Sequence, residues 1–541
     1  MTRAASRGAP RGRRTRARAA LFLLSASLAA HALPAQDKPP GPIRPRTTYE
    51  DLQMLSGVLN QIRVNHPDTQ DTHSLILAAI EGLVREADPH SFVIPAIRLN
   101  ADKEKALREG KLYPVPVTFT FFGGSPVVSS VAPGSSAAKS DILAGDELVA
   151  IDRKPVSARS ADELDIVLAG PKNSTITLTF ERRRLDGTLV QLERVVKRER
   201  PGEASAVPAA FMLDQRTGYV RVTTFVGEKV ADDVHDALSR LERDGMERLV
   251  LDLRDNAGGS VDEASRIAGE FLPKGAIIYT SEGRKEDIRD TARVGRSFWR
   301  SEKRYPIVVM VNSGSASASE LVAGALQDHD RALIVGRPSF GKSLLMRGFP
   351  LPDGSVLVMV IGHLKTPCGR VIQRQYRGVT RHDYYRLARA ARDTAGRPSC
   401  KTDGGRTVYG GGGIFPDVVL PEPAATPLWL ARVYEEALLL KWTPGYLSAN
   451  GGAFASLESF AKNPMVPPDA LTSFRAFAAE QNVTLPTDGE SNELLRRAIA
   501  RWIADTKWGD AGLYRLTAVL DPEVKSATAA FAQAERLGAR E

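Results

Sequence analysis

Cysteine is nearly missing from this sequence: Cys368 and Cys400 are the only two in 541 residues. No cysteine stands at the end of the N-terminal leader, which disfavours a lipoprotein. Both lie in one part of the chain. Paired in an oxidising compartment, they would close a loop of about 31 residues, worth roughly 3–4 kcal/mol in the loop-entropy model. Acidic residues are absent from the first 35 positions, where Arg3, Arg7, Arg11, Arg13, Arg14, Arg16 and Arg18 stand. Without these seven arginines the formal charge falls from +9 to +2, so the basic balance is no sign of a nucleic-acid surface. Long apolar runs are lacking as well. The run Ala19 to Ala30 is shorter than the about 20 residues a bilayer span needs, and no later segment is apolar enough. With small-residue sites at Ala30–Ala32 and Leu33–Ala35, residues 1–35 read as a secretory signal. The mature protein is expected outside the cytoplasm, in the periplasm, cell envelope or medium. No internal repeat is visible.

What is present is ordinary for a folded protein, with 43% hydrophobic and 25% charged residues. The length calls for several domains. A proline-rich linker (36–48) precedes a helical region (49–108), where Leu52, Leu55, Leu59 and Ile62 recur at helical spacing. A second helical run ends at ADPHSF, Ala87 to Phe92. Residues 109–200 switch to short strands and turns. Residues 201–422 alternate strand and helix, predicting a layered α/β core, and 423–541 are helical. The fold class expected is multi-domain α/β.

Gly336 to Ser343, GRPSFGKS, fits the phosphate-loop pattern at every position. Such a loop needs a helix after its lysine, because the N–H groups of that helix cradle the phosphates. Here only five residues follow before Gly348, Phe349, Pro350 and Pro352 interrupt. The acid-ending strand RLVLDLRD lies upstream, where a nucleotide-binding protein usually has it downstream. These features argue against an ATPase, which nucleotide binding no tighter than millimolar would exclude, and Lys342 needs another role.

Val311 to Glu320, VNSGSASASE, places three alternating serines at a strand-to-helix junction, 25 residues before that lysine at the middle one. Helix N–H groups there point at any developing oxyanion. A single serine at a helix start is most often a cap; three in alternation exceed what capping requires. The spacing alone does not choose among Ser315, Ser317 and Ser319.

These residues carry a resemblance. GSASASELVAGALQDHDRALIVGRPSFGK resembles the catalytic segment of the C-terminal processing peptidases, also called tail-specific proteases. ADPHSF, LDLRDNAGG (Leu251 to Gly259), TPCGRVIQ (Thr366 to Gln373) and YGGGGIFPD (Tyr409 to Asp417) are similar to that family's other motifs, in order. Pro133 to Val156 resembles its PDZ domain, which assigns 109–200 as PDZ-like and 201–422 as the peptidase core. The resemblance implies Ser317 as nucleophile, Lys342 as general base, Gly258 and Ala318 as oxyanion donors and Asp328 in support. It implies no metal and no cofactor. The partners it implies are proteins with unstructured C-termini, with an adaptor lipoprotein and a homo-oligomer left open. To accept a proton near pH 7, Lys342 must be neutral; lowering its pKa by about three corresponds to about 4 kcal/mol, within the reach of burial.

The chain departs from the family at three places. Met346 stands where the family has a lysine-orienting glutamine, Ser343 where it commonly has glycine, and Ser140-Asp141 where it has a small residue and glycine. No glycine-rich carboxylate-binding loop is evident near VTFTFFGG. His329, beside Asp330 and Arg331, reads as a surface histidine. The leading expectation is an exported, ATP-independent serine endopeptidase cleaving near C-terminal tails. Its rival is a non-catalytic peptide- or ligand-binding protein on the same scaffold. If the cysteines pair, a thiol titration of the denatured, unreduced protein finds no free thiol; two free thiols would exclude the bridge.

Overall fold

The structure is a computed structural model describing residues 47–94, 111–122, 125–132, 135–143, 146–158, 161–183, 188–199, 206–295, 303–379, 381–387 and 393–538. The leader, its cleavage sites and the linker up to residue 46 lie outside the described residues. The chain divides into two compact units, 1–76 and 77–541. In the first, helix α1 (Thr48–Asn65) begins with a capping box in which Thr47 and Glu50 satisfy each other's backbone N–H groups. The helical spacing is borne out, yet Leu52 and Leu55 are exposed. Helix α2 (Thr72–Ala87) stops at Asp88-Pro89, as the proline requires.

After the short strand β1 (Phe92–Ile94), a six-stranded antiparallel sheet follows. It comprises β2 (Val117–Phe122), β3 (Ser125–Val131), β4 (Glu147–Ile151), β5 (Lys154–Pro155), β6 (Thr175–Arg183) and β7 (Leu189–Lys197), with helix α3 (Ala161–Leu168) crossing it. Its own core holds Val117, Phe119, Leu148, Leu164, Leu178 and Phe180. Strand β2 is an edge of this sheet. Asp141, standing where glycine is usual, adopts φ +53°, and its carboxylate accepts from Arg194 at 2.9 Å. Arg182 binds Asp146 at 2.7 Å and reaches the Glu435 carbonyl at 3.1 Å, joining this sheet to the C-terminal helices.

The chain then builds a second sheet from β8 (Ala209–Met212), β9 (Thr217–Arg221), helix α4 (Val230–Arg243), β10 (Arg248–Asp252) and helix α5 (Val261–Ala268). Strands β11 (Ile277–Gly283) and β12 (Asp290–Arg293) leave it for a third sheet. The second sheet resumes with β13 (Ile307–Val311), helix α6 (Ala318–Asp328) and β14 (Leu333–Gly336). Strands β15 (Leu344–Pro350) and β16 (Val356–Lys365) form a hairpin around Pro352-Asp353-Gly354, and β16 also pairs with β1 and β11. Helix α7 (Arg381–Leu387) and strands β17 (Ser399–Lys401), β18 (Thr407–Tyr409) and β19 (Val418–Val419) follow. The second sheet runs β19-β14-β13-β10-β9-β8, parallel except for β8. The segment after Lys342 is strand, so the structure offers no helix for a phosphate loop.

RLVLD and IVVMV are near-continuous apolar runs because both faces of a parallel sheet are covered. Alternate residues feed different cores. Leu249, Leu251, Val309 and Val311 pack with α4, α5 and α6, whereas Val250, Val308 and Met310 pack against Val524, Ala527 and Phe531 near the C-terminus. The C-terminal helices thus have two tasks. Residues around Trp442, Phe474 and Ile503 form a bundle with its own core, and Pro522–Ala529 and Phe531–Gly538 cover the sheet. The periodicity read over Leu428–Leu440 is two helices, broken at Ala437 with φ +51°. Helices Leu457–Lys462 and Pro468–Glu480 fall within the stretch read as helical. Cys368 and Cys400 are joined as a disulfide.

Asp252, at the end of β10, is fully buried among Arg221, Arg254 and the Tyr219 hydroxyl. These partners outweigh burial and hold its carboxyl well below the usual range. Arg254 continues to Asp521 and Glu523, both at 2.7 Å, fastening the covering helices. Asp252→Ala would strand three polar groups, and should cost about 3–5 kcal/mol, read as a fall in the urea midpoint.

Candidate active site

Parallel strands bring their carboxyl ends together, and loops leaving them are where such sheets place ligands. Two loops meet here, Leu253–Gly259 after β10 and Asn312–Ser317 after β13. Ser315 and Ser319 are fully buried and spend their hydroxyls joining the loops. The Ser315 hydroxyl donates to the Leu253 carbonyl at 2.8 Å, and that of Ser319 to the Asn256 carbonyl at 2.8 Å. Ser317 is the one of the three that lines a small cavity with Lys342.

Ser317 occupies φ +56°, ψ −111°, a backbone region costing of order 1–3 kcal/mol, at the N-cap of α6. What holds it there is Glu320. This carboxylate is fully buried and accepts from the N–H groups of Ser317 (2.8 Å), Gly341 (2.7 Å) and Lys342 (2.8 Å), and from the Ser339 hydroxyl. Burial raises its pKa; the Ser339 hydroxyl and the three N–H groups oppose that rise without cancelling it. The sequence signal for Glu320 was only its position three residues after a helix-start serine, the capping-box spacing.

The shared cavity is about 20 Å³, room for one water, and is also lined by Tyr279, Leu364, Thr366 and Ile372. Burial pushes the Lys342 ammonium below the ordinary lysine value, and the Glu320 and Asp88 carboxylates pull it partly back. A larger open groove of about 1490 Å³, lined among others by Asp88, Thr280, Ile361, His363 and Tyr376, adjoins it along β11 and β16.

Gly258 lies against the helix start. A Cβ there would sit 2.9 Å from the Ala318 nitrogen and 2.7 Å from the Ala316 carbonyl, and its φ is +98°, so only glycine fits. The Ala318 N–H opens α6 and has no acceptor within its own helix. The Gly258 N–H is donated to Asn256 Oδ1 at 2.9 Å, so it is engaged in this structure. Asp328 does not come to the cavity. Eleven residues along the helix, roughly 16 Å away, it is buried in an ion pair with Arg370 at 2.7 Å and accepts from the Cys368 N–H. Met346 lies on β15 opposite Val360 and is not among the residues lining the cavity. His329 is no surface residue. Its ring is mostly buried, with Nε2 at 2.7 Å from the Ile277 carbonyl and Nδ1 at 2.6 Å from Asp403.

Residues 216–384 match peptidase family S41, and residues 127–182 match a PDZ domain. Over 335 residues the chain is 32% identical to a carboxy-terminal-processing protease of Bartonella bacilliformis, covering 61% of this chain and 74% of that one. The chain belongs to this S41 family of carboxy-terminal-processing proteases. It is a serine-type peptidase with a PDZ domain, acting on protein substrates. A chloroplastic carboxyl-terminal-processing peptidase 2 of Arabidopsis thaliana is 37% identical over 246 residues, 44% of this chain and 46% of that one. Among solved structures, a photosystem II D1 C-terminal processing protease aligns at 26% identity and TM-score 0.42, covering 69% of this chain and 87% of that one. No helix among the described residues is long and apolar enough to cross a membrane.

Glu320→Ala removes the acceptor shared by four donors. It should lower turnover by about 10²-fold or more, because the Ser317 and Lys342 segments lose their common anchor; steady-state peptidase kinetics on the folded variant check this.

Proposed function

We propose that this peptidase is exported and cleaves proteins near unstructured C-terminal tails, without ATP, through a Ser317–Lys342 dyad. The observation carrying the reading is the shared cavity. Of three alternating serines, two spend their hydroxyls on the β10 loop, and the third lines a cavity together with a desolvated lysine. Neutral Lys342 takes the Ser317 proton as Oγ attacks the scissile carbonyl, and the resulting ammonium protonates the leaving amine. Water then enters, gives a proton to Lys342 and attacks the acyl carbon; the Ser317–acyl bond breaks, the ammonium returns that proton to Ser317 Oγ, and the acyl group leaves as a carboxylic acid. The Ala318 N–H faces the developing oxyanion, and Gly258 joins it once its N–H leaves the Asn256 carboxamide.

Asp328 supports indirectly, by holding the Arg370 loop whose Thr366 lines the cavity. Met346 takes no part in the chemistry. The domain scheme that goes with this function is PDZ-like 109–200, peptidase core 201–422 and helical 423–541. Strand β2, an edge with α3 alongside, suits addition of a substrate tail as a further strand. The open groove beside the cavity offers room for the polypeptide. Export rests on the leader, and independence from ATP on the strand that follows Lys342.

Ser317→Ala and Lys342→Ala should each reduce cleavage of an unfolded-tail substrate by at least about 10³-fold with unchanged thermal unfolding. Full turnover in both would sink the dyad. The kcat/KM profile should rise with pH through a group below the ordinary lysine value, since burial disfavours the ammonium and only the free amine can act as base. An acid limb at or above that ordinary value would contradict the assignment.

A further inference from the structure

Lys342 sits on a segment with no regular structure, between Gly341 at φ +90° and the start of β15 at Leu344. A base on a loop needs outside anchors to keep its aim. Glu320 anchors the loop from one side, through the Gly341 and Lys342 N–H groups. The other side is gripped by two consecutive residues from the end of TPCGRVIQ and just past it. The Ser343 N–H donates to Gln373 Oε1 at 2.9 Å. The Arg374 N–H donates to the Gly341 carbonyl at 2.9 Å, and the Arg374 guanidinium stacks 4.8 Å from the Phe340 ring.

Gln373 has no slack in its bonding. Its oxygen faces an N–H, which can only donate, and this fixes which way the carboxamide points. Its nitrogen gives one hydrogen to the Arg374 carbonyl (2.8 Å) and one to the Tyr384 hydroxyl (3.0 Å). Tyr384 is 1% exposed, and burial pushes its phenol up to about 12, so it keeps its proton. Its hydroxyl is hydrogen-bonded to His90 Nε2 at 3.1 Å. His90 is placed in turn by Asp88, whose carboxylate accepts from the N–H groups of His90 (2.7 Å) and Ser91 (2.6 Å) and from the Ser91 hydroxyl (2.6 Å). The chain of bonds therefore runs from ADPHSF through Tyr384 to the backbone of the base.

We propose that Gln373, held in place by Tyr384 and His90, is the positioning residue for Lys342. It fills the orienting role that Met346 leaves vacant on β15. The proposal rests on the Ser317–Lys342 reading and goes beyond it. Gln373 does not touch the reacting atoms; it fixes the main chain that carries the amine. The charged and titratable groups facing that amine are Glu320 from α6, Asp88 from the segment before β1, Tyr279 from β11 and Lys365 from β16. None of these is altered by the test.

Gln373→Ala and Tyr384→Phe in the full chain are compared with the parent on an unfolded-tail peptide across pH. For Gln373→Ala, kcat should fall about tenfold or more with KM within about twofold. The acid limb of kcat should move to higher pH, because a loosened loop lets water reach the ammonium. Tyr384→Phe, which deletes one oxygen, should give a smaller fall in kcat with the limb moved the same way, and it decides the matter if Gln373→Ala does not fold. A folded variant pair with unchanged kcat and acid limb, or a loss confined to KM, overturns the proposal. Turnover surviving in Lys342→Ala would instead overturn the dyad itself.

Discussion

One buried carboxylate holds the working parts together. Glu320 takes hydrogen bonds from the segment carrying Ser317 and from the segment carrying Lys342, 25 residues apart in sequence. Its desolvation is unfavourable, as the raised pKa shows, and four donors offset it. A network of this kind is worth having only when fully satisfied. The strained Ser317 backbone belongs to the same arrangement: left alone it would relax, and the carboxylate beneath it keeps the elbow cocked. Dry walls around Lys342 complete the picture, because the apolar residues that pack the cavity also disfavour the ammonium.

The fold and the proposed Ser317–Lys342 pair were legible for a simple reason: both are written locally. Strand and helix alternate in runs of apolar residues from Thr217 to Gly336, and the parallel sheet follows. The serine run and FGK carry the family's signature in consecutive residues. Choosing among Ser315, Ser317 and Ser319 was different. It depends on carbonyls of Leu253 and Asn256, about 60 residues away, which no local pattern reveals. Gln373 was hidden likewise, 30 residues from the Ser343 N–H it accepts.

Two misreadings have physical causes. His329 looked solvated because Asp330 and Arg331 follow it, yet its ring is claimed by Ile277 and Asp403. Within the C-terminal region read as helical, the break at Ala437 went unseen because that residue carries no outward mark of the left-handed conformation it adopts. Asp328 lay on the expected face of its helix, but face alone says nothing about distance along the axis. Its carboxylate serves Arg370 instead, and the disulfide closes the same neighbourhood.

The covering of the central sheet by residues 522–538 has a temporal consequence. Those residues follow all the described strands, and Ser317 and Lys342, in sequence. Until they dock, one face of the sheet stays wet and Arg254 lacks its last acidic partners. A chain folded only through its strands therefore carries Ser317 and Lys342 on an unfinished platform until residues 522–538 dock.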